Sequence, residues 1–260
     1  MGNGSSAAFS ARRRKPLPLA PWPQQTGPVT ESLDAFETPK RRRHGRETLY
    51  LGVKPIALGG GAKRSFDLIG AIAAIILLLP LFCLIALMIK LSDRGPVFYR
   101  HKRVGLNGSS FDCLKFRTMA VDADAALQCH LAANRDAAHE WQELRKLKND
   151  PRVTRLGHTM RKTSLDELPQ LINIIKGEMS IVGPRPIVVA EMPRYGECIG
   201  HYLRARPGLT GPWQISGRND VDYVKRVALD RDYVEAWSFW RDLLIIARTV
   251  GVVVTARGCY

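Results

Sequence analysis

Cysteine is scarce in this chain and badly spaced for structure. The five present, Cys83, Cys113, Cys129, Cys198 and Cys259, form no C-x-x-C pair and no Cys/His group at zinc-ligand spacing. That excludes a disulfide framework and a zinc knuckle, and the odd number points to reduced thiols facing the cytosol. Neither a Walker-type G-x-x-x-x-G-K-[ST] string nor a dinucleotide G-x-G-x-x-G occurs, so an ATPase or a Rossmann dehydrogenase is not expected. Acidic residues are few: 24 Asp+Glu stand against 39 Lys+Arg, a formal charge of +15. Such a balance implies anionic company, whether nucleic acid, phosphorylated substrates or an acidic membrane face. Aromatics make up only 8% and do not interleave with the basic runs as base-stacking platforms would, so no nucleic-acid partner is expected.

What is present divides the chain in three. Residues 1–62 carry Arg12-Arg13-Arg14-Lys15, a run of prolines from Pro16 to Pro28, and Lys40-Arg41-Arg42-Arg43. Without helical or strand periodicity, this stretch reads as a disordered basic tail, either meeting anionic lipid headgroups or serving as a solvated arm. Residues 63–92 contain the one long apolar run, uncharged from Leu68 to Ile89. A helix of that length reaches about 33 Å, enough for a bilayer core. Lys63 and Arg64 precede it, and Lys90, Arg94 and Arg100 follow. The positive-inside rule therefore assigns both ends to the cytoplasm. With Pro80 near its middle, the segment is predicted to be a re-entrant helix–break–helix hairpin, with an ordinary span as the alternative. No cleavable signal peptide is expected, because no apolar run precedes this one.

Residues 93–260 are predicted to form a small cytosolic catalytic domain. Ser110 to Met119 alternates apolar with polar and reads as a strand. It would put Lys115 and Arg117 on one face, either as partners for a pyrophosphate or as an ordinary solvated face. Residues 120–148 lack Pro and Gly and read as one or two surface helices. In Thr163 to Gly177, Leu168, Leu171, Ile172 and Ile175 recur at helical spacing, and Gly177 suits a C-cap. A helix is predicted from near Asp166, and two readings of its start stay open. Ser164-x-x-Glu167 has the form of a capping box, with Asp166 a possible N-cap. Alternatively, a carboxylate at a helix N-terminus, beside Arg161 and Lys162, is held ionised as a nucleophile or cation ligand. Val182-Gly183-Pro184-Arg185-Pro186 is either a rigid turn or a device that presents Arg185 with little entropy to lose. The aromatics and arginines of 233–254 suit either a helix at the headgroup level or packing into the core.

Taken in order, KRSFDLIGA before a Pro-broken apolar segment, KFRTM at 115–119, TSLDELPQL at 163–171, GEMSIVGPRP at 177–186 and RPGLTG at 206–211 resemble the bacterial sugar transferase family of monotopic polyprenyl-phosphate phosphoglycosyl transferases. The likeness runs from about residue 63 to the C-terminus. Within the family, 213–230 and 248–260 resemble enzymes that begin exopolysaccharide assembly, especially the galactosyl-1-phosphate transferase type of succinoglycan synthesis. The resemblance implies a mixed, helix-rich α/β monotopic membrane protein of the inner (cytoplasmic) membrane. Its catalytic domain would face the cytoplasm and carry amphipathic interfacial helices.

The implied reaction moves hexose 1-phosphate from a UDP-hexose to undecaprenyl phosphate with Mg²⁺, releasing UMP. Galactose is the first choice of sugar and glucose the second. By resemblance, Asp166 is the nucleophile that forms a covalent phosphosugar intermediate, and Glu167 engages the metal. Lys115, Arg161 and Arg185, the last with its neighbour Pro186, serve the phosphates or nucleotide, as Arg117 would from the strand. Asp242 matches an acidic position the family also needs. Leu79 departs from the family, many of whose members carry serine before the proline. Two readings compete with this one: a membrane-anchored nucleic-acid binder, and a scaffold in which the carboxylate pair is only a cap.

Overall fold

The computed structural model describes residues 57–144, 147–217 and 221–255. The predicted basic tail therefore lies outside the described residues up to residue 56. The apolar segment forms α1 (Gly60–Asp93), 34 residues and about 51 Å long. Among the described residues it is the one helix long and apolar enough to cross a membrane. The expected break does not appear, because Pro80 lies inside one continuous helix. The proline costs one backbone hydrogen bond. Packing on either side holds the flanking turns: Ala74, Ile75 and Phe82 lie on one core cluster, and Leu81 and Ala86 on another.

The buried residues of α1 are Lys63, Asp67, Ala71, Ile85 and Ile89. At about 100° per residue these fall on a single arc of roughly 80°. One stripe of the helix thus follows the protein body from end to end. The other side exposes Ile69, Ile76, Leu77, Leu87 and Leu91.

The body begins with an antiparallel hairpin, β1 (Phe98–Val104) and β2 (Ser110–Phe116), in which Tyr99 faces Lys115 and Arg103 faces Phe111. The alternation expected of 110–119 is thus realised up to Phe116. Two helices follow, α2 (Ala123–Ala133) and α3 (Arg135–Leu144), where a helix or helix pair was expected. Next come α4 (Arg155–Thr163), a 3-10 turn Leu165–Glu167, and α5 (Gln170–Lys176). Gly177 closes α5 at φ 82, as the sequence foretold. A short parallel pair joins β3 (Ser180–Val182) to β4 (Gly208–Thr210). There the backbones approach so closely that a methyl on Gly183 would collide with the carbonyl of Arg206.

After an irregular 3-10 stretch (Val189–Cys198), α6 (Ile199–Leu203), α7 (Pro212–Ile215), α8 (Tyr223–Glu235) and α9 (Phe239–Thr255) complete the fold. Segment 233–254 is divided between buried and exposed side chains. Asp242 and Ile245 of α9 are buried, while Trp240 is 78% exposed and Leu244 and Val250 also face out.

Candidate active site

The turn that carries Asp166 is built differently from the sequence expectation. No capping box forms: Ser164 makes no side-chain capping bond and instead ends α4 in the left-handed region at φ 57. Its N–H bonds Arg161 O and Met160 O, closing α4 and reversing the chain sharply. Asp166 and Glu167 then lie in the 3-10 turn, and α5 begins only after Pro169. The nucleophile candidate therefore lies in a single 3-10 turn ahead of α5 and not in the first turn of an α-helix, so the macrodipole argument for holding it ionised loses its basis.

Burial governs its charge. Asp166 is 8% exposed and its pKa is pushed up to about 6, first by desolvation and further by Glu167, against the pull of Lys115 and Arg161. Lys115 Nζ donates to Glu167 Oε1 at 2.7 Å and stands 3.8 Å from Asp166 Oδ2. Burial works against the charge of Lys115, but Glu167 and Asp166 outweigh it and hold its pKa above the usual lysine value. One ammonium thus serves two carboxylates of unlike environment, because Glu167 is far more exposed than its neighbour. Separate environments permit separate jobs.

The scaffold beneath this trio went unnoticed in the sequence. Asn173 of α5 is fully buried; its Oδ1 accepts from Leu114 N at 3.0 Å. Its Nδ2 donates to Asp112 O at 2.8 Å and to Glu178 Oε2 at 2.7 Å. It stitches β2 to α5, so the strand bearing Lys115 and the turn bearing Asp166 keep their register. Arg64 of α1 donates to the carbonyls of Ile174 and Ile175, and Arg206 to that of Gly177, satisfying the end of α5. A buried asparagine within an apolar period was the available signal.

The other predicted site residues are distributed unevenly. Arg161 belongs with the trio electrostatically, its Nε donating to Thr118 Oγ1 at 3.0 Å. Arg117 does not share the work of Lys115: β2 ends before it, and its guanidinium forms a bidentate pair with Asp93 at the end of α1. Arg185 lies over the ring of Trp213 at 4.9 Å, and the carbonyl of Pro186 accepts from Arg103 Nη1 at 3.2 Å. Asp242, the acidic position singled out by the resemblance, is wholly buried and partnered through both oxygens. It accepts from Lys63 Nζ at 2.7 Å, Tyr233 OH at 2.7 Å and Trp237 Nε1 at 3.1 Å. It clamps α9 to the start of α1 and presents no free oxygen to a substrate.

A buried carboxylate with its own cation, beside a second, more exposed carboxylate, suits attack on an electrophile that brings negative charge with it. Known proteins match this chain over most of its length. The chain is 56% identical over 208 residues to the exopolysaccharide production protein ExoY of Rhizobium meliloti, a match covering 80% of this chain and 91% of that protein. It is 52% identical over 198 residues to the UDP-galactose-lipid carrier transferase of Erwinia amylovora, covering 76% of this chain and 41% of the relative. Identity to the undecaprenyl-phosphate galactose phosphotransferase of Salmonella typhimurium is 49%, with 76% and 41% covered. The chain thus spans about two fifths of the latter two proteins. A model of the family described as bacterial sugar transferase matches residues 59–256, nearly every residue described above, and the chain belongs to that family.

Proposed function

We propose that this protein transfers hexose 1-phosphate from a UDP-sugar to undecaprenyl phosphate, releasing UMP, as the first membrane step of exopolysaccharide synthesis. The observation that carries the reading is the buried carboxylate of Asp166 set 3.8 Å from Lys115 Nζ and next to Glu167. In the first step an Asp166 carboxylate oxygen attacks the β-phosphorus. The bond from phosphorus to the bridging oxygen breaks, and UMP departs with the electron pair. Lys115 and Arg161 offset the charge gathered at the phosphates. In the second step a phosphate oxygen of the lipid attacks the same phosphorus and expels the Asp166 carboxylate. With a pKa of about 6, the group is about nine-tenths ionised at pH 7, so it is available while remaining a tolerable leaving group. Two steps through one carboxylate give ping-pong kinetics.

The donor set fits Mg²⁺. Among the described residues no three acidic, His or Cys side chains form a metal cluster. A hard cation would be held by Glu167, whose Oε1 also accepts from Lys115 Nζ, and completed by diphosphate oxygens and water. Bound there, it would neutralise diphosphate charge.

The packing of α1 supports attachment to one leaflet. Its buried stripe packs on the body near both ends, through Lys63 and Asp67 at one and Ile85 and Ile89 at the other, and Asp93 pairs with Arg117. A helix bound along its length to a polar body cannot cross a bilayer without dragging that body in. Both ends then stay on the cytoplasmic face of the inner membrane, with the opposite apolar side and Trp240 in lipid. A re-entrant bend would have to form at Pro80, where the helix already lacks one backbone hydrogen bond. The names of two relatives favour galactose, and glucose, named in two less similar ones, comes second.

The test is UMP release by the membrane-embedded protein with undecaprenyl phosphate and a panel of UDP-sugars. Release is expected fastest with UDP-galactose and should stop after one turnover without lipid. No release from any UDP-sugar overturns the reading.

A further inference from the structure

A second polar cluster lies apart from the Asp166 turn. Among the described residues, eight buried side-chain polar atoms lack a hydrogen-bond partner. Four of them, Trp213 Nε1, Tyr223 OH, Arg226 Nε and Asp230 Oδ1, belong to this one place. A folded chain rarely leaves such groups unmet, because each costs about 1–3 kcal/mol. The group is tied together by its rings. Arg226 lies over Trp213 at 4.3 Å and over Tyr223 at 5.3 Å. Arg185 covers Trp213 at 4.9 Å, and Arg194 covers Tyr223 at 3.7 Å. Tyr195 packs edge-on to Tyr223 and donates its hydroxyl to Asp230 Oδ2 at 2.8 Å.

The cluster is also short of negative charge. Among the described residues its one ion pair is the loose 3.8 Å contact of Arg103 Nη1 with Glu191 Oε2. Burial, and then the charge of Arg185, lowers the pKa of both Arg103 and Arg226, so the guanidiniums repel one another. Three cations that repel, and donors that bond nothing, describe a place made for an anion rich in acceptor oxygens.

Position suggests which anion. Lys115 faces Tyr99 across the β ladder, and Arg103 lies four residues along the same strand, roughly 13 Å away. Tyr99, His101 and Arg103 share a face with Lys115, so a line of polar side chains, three of them nitrogen-bearing, leads from the Asp166 turn towards Arg185. That separation exceeds one phosphate and matches the extended reach of a nucleoside diphosphate.

We propose that Trp213, Tyr223 and Arg226, joined by Arg185 and backed by Asp230, form the pocket for the nucleoside monophosphate half of the UDP-sugar. This rests on the transferase reading and adds the seat of its leaving group. The indole N–H, phenol and guanidinium supply donors to phosphate and base carbonyl oxygens. Asp230 offers an acceptor to a ribose or base donor. Both rings lie under guanidinium side chains that would have to move aside to admit the ligand.

The experiment measures equilibrium binding of UMP, galactose 1-phosphate and inorganic phosphate to the full chain in lipid nanodiscs. The parent is compared with Trp213→Phe, Tyr223→Phe and Arg226→Gln, and circular dichroism checks that each folds. UMP is expected to bind best, and each variant to weaken it about tenfold or more while galactose 1-phosphate changes little. UMP affinity within twofold of the parent in the folded variants overturns the pocket, as does galactose 1-phosphate binding more tightly than UMP. Should the parent still release UMP from a UDP-sugar, only the pocket has failed. If the variants weaken UMP binding but no UDP-sugar is turned over, the pocket stands and the transferase reading falls.

Discussion

Replacing Asp166 with Asn removes a charge that the fold holds at a cost. The side chain is 11% exposed, and its pKa rises from the usual 3.8 to about 6. That rise corresponds to roughly 3 kcal/mol against the ionised form. The sign follows from linkage. Below pH 3.8 the carboxyl is protonated in both folded and unfolded chains and the penalty is absent. Between pH 3.8 and about 6 the unfolded chain ionises first, so the penalty grows; above about 6 it is complete. Asparagine carries no such penalty. The variant should therefore melt close to the parent near pH 4 and above it at pH 8, by on the order of 6 °C for a chain of this size. UMP release should fall by on the order of 10³-fold or more. In the parent the first step should accelerate as pH rises through about 6, following the ionised fraction. Thermal melts of both proteins in nanodiscs at pH 4 to 8, read beside UMP release, test both consequences. A variant no more stable than its parent at pH 8 would refute the claim that burial opposes this charge.

Further outcomes follow from the neighbours of that residue. Lys115→Met removes the cation that lowers the Asp166 pKa, so the pH at half-maximal rate should move above 6; an unchanged midpoint would show that the pair is not coupled. Asn173→Ala leaves Leu114 N–H and Asp112 O without their bonds and opens a void, with an expected loss of roughly 3–5 kcal/mol. Its loss of kcat should exceed any rise in KM, measured below the lowered melting temperature. Cysteines placed singly at the exposed positions Ala62 and Arg100 of a cysteine-free background should both react with an impermeant reagent from the cytoplasmic side of sealed vesicles. Reaction from opposite sides would establish a span.

Much of the site was legible because its signals are local. The strand through Lys115, the Gly177 cap and the adjacent Asp166-Glu167 pair are all patterns within a dozen residues. What escaped depended on partners far along the chain. Ser164-x-x-Glu167 satisfies a capping pattern, yet Ser164 adopts a left-handed conformation to end α4, and no short-range rule reveals that preference. Arg117 looked like a companion to Lys115 until Asp93, 24 residues earlier, claimed its guanidinium. Asp242 is separated by 179 residues from Lys63, so its role as a buried clamp could not be read from the segment that contains it. The direction of the Asp166 pKa reversed for the same reason: desolvation is a tertiary property, whereas the helix dipole first invoked is a local one. Pro80 predicted a break, but its penalty is offset by packing that the apolar run does not disclose.

The central claim is that the Asp166 carboxylate becomes bonded to the donor's phosphorus. Intact-protein and peptide mass spectrometry after incubation with UDP-galactose and Mg²⁺, without lipid, tests it most directly. The account predicts one hexose phosphate per chain, located on the peptide bearing Asp166, matched by one equivalent of UMP and lost on adding undecaprenyl phosphate. UMP release with lipid but no adduct at Asp166, or an adduct that persists in Asp166→Asn, would contradict it.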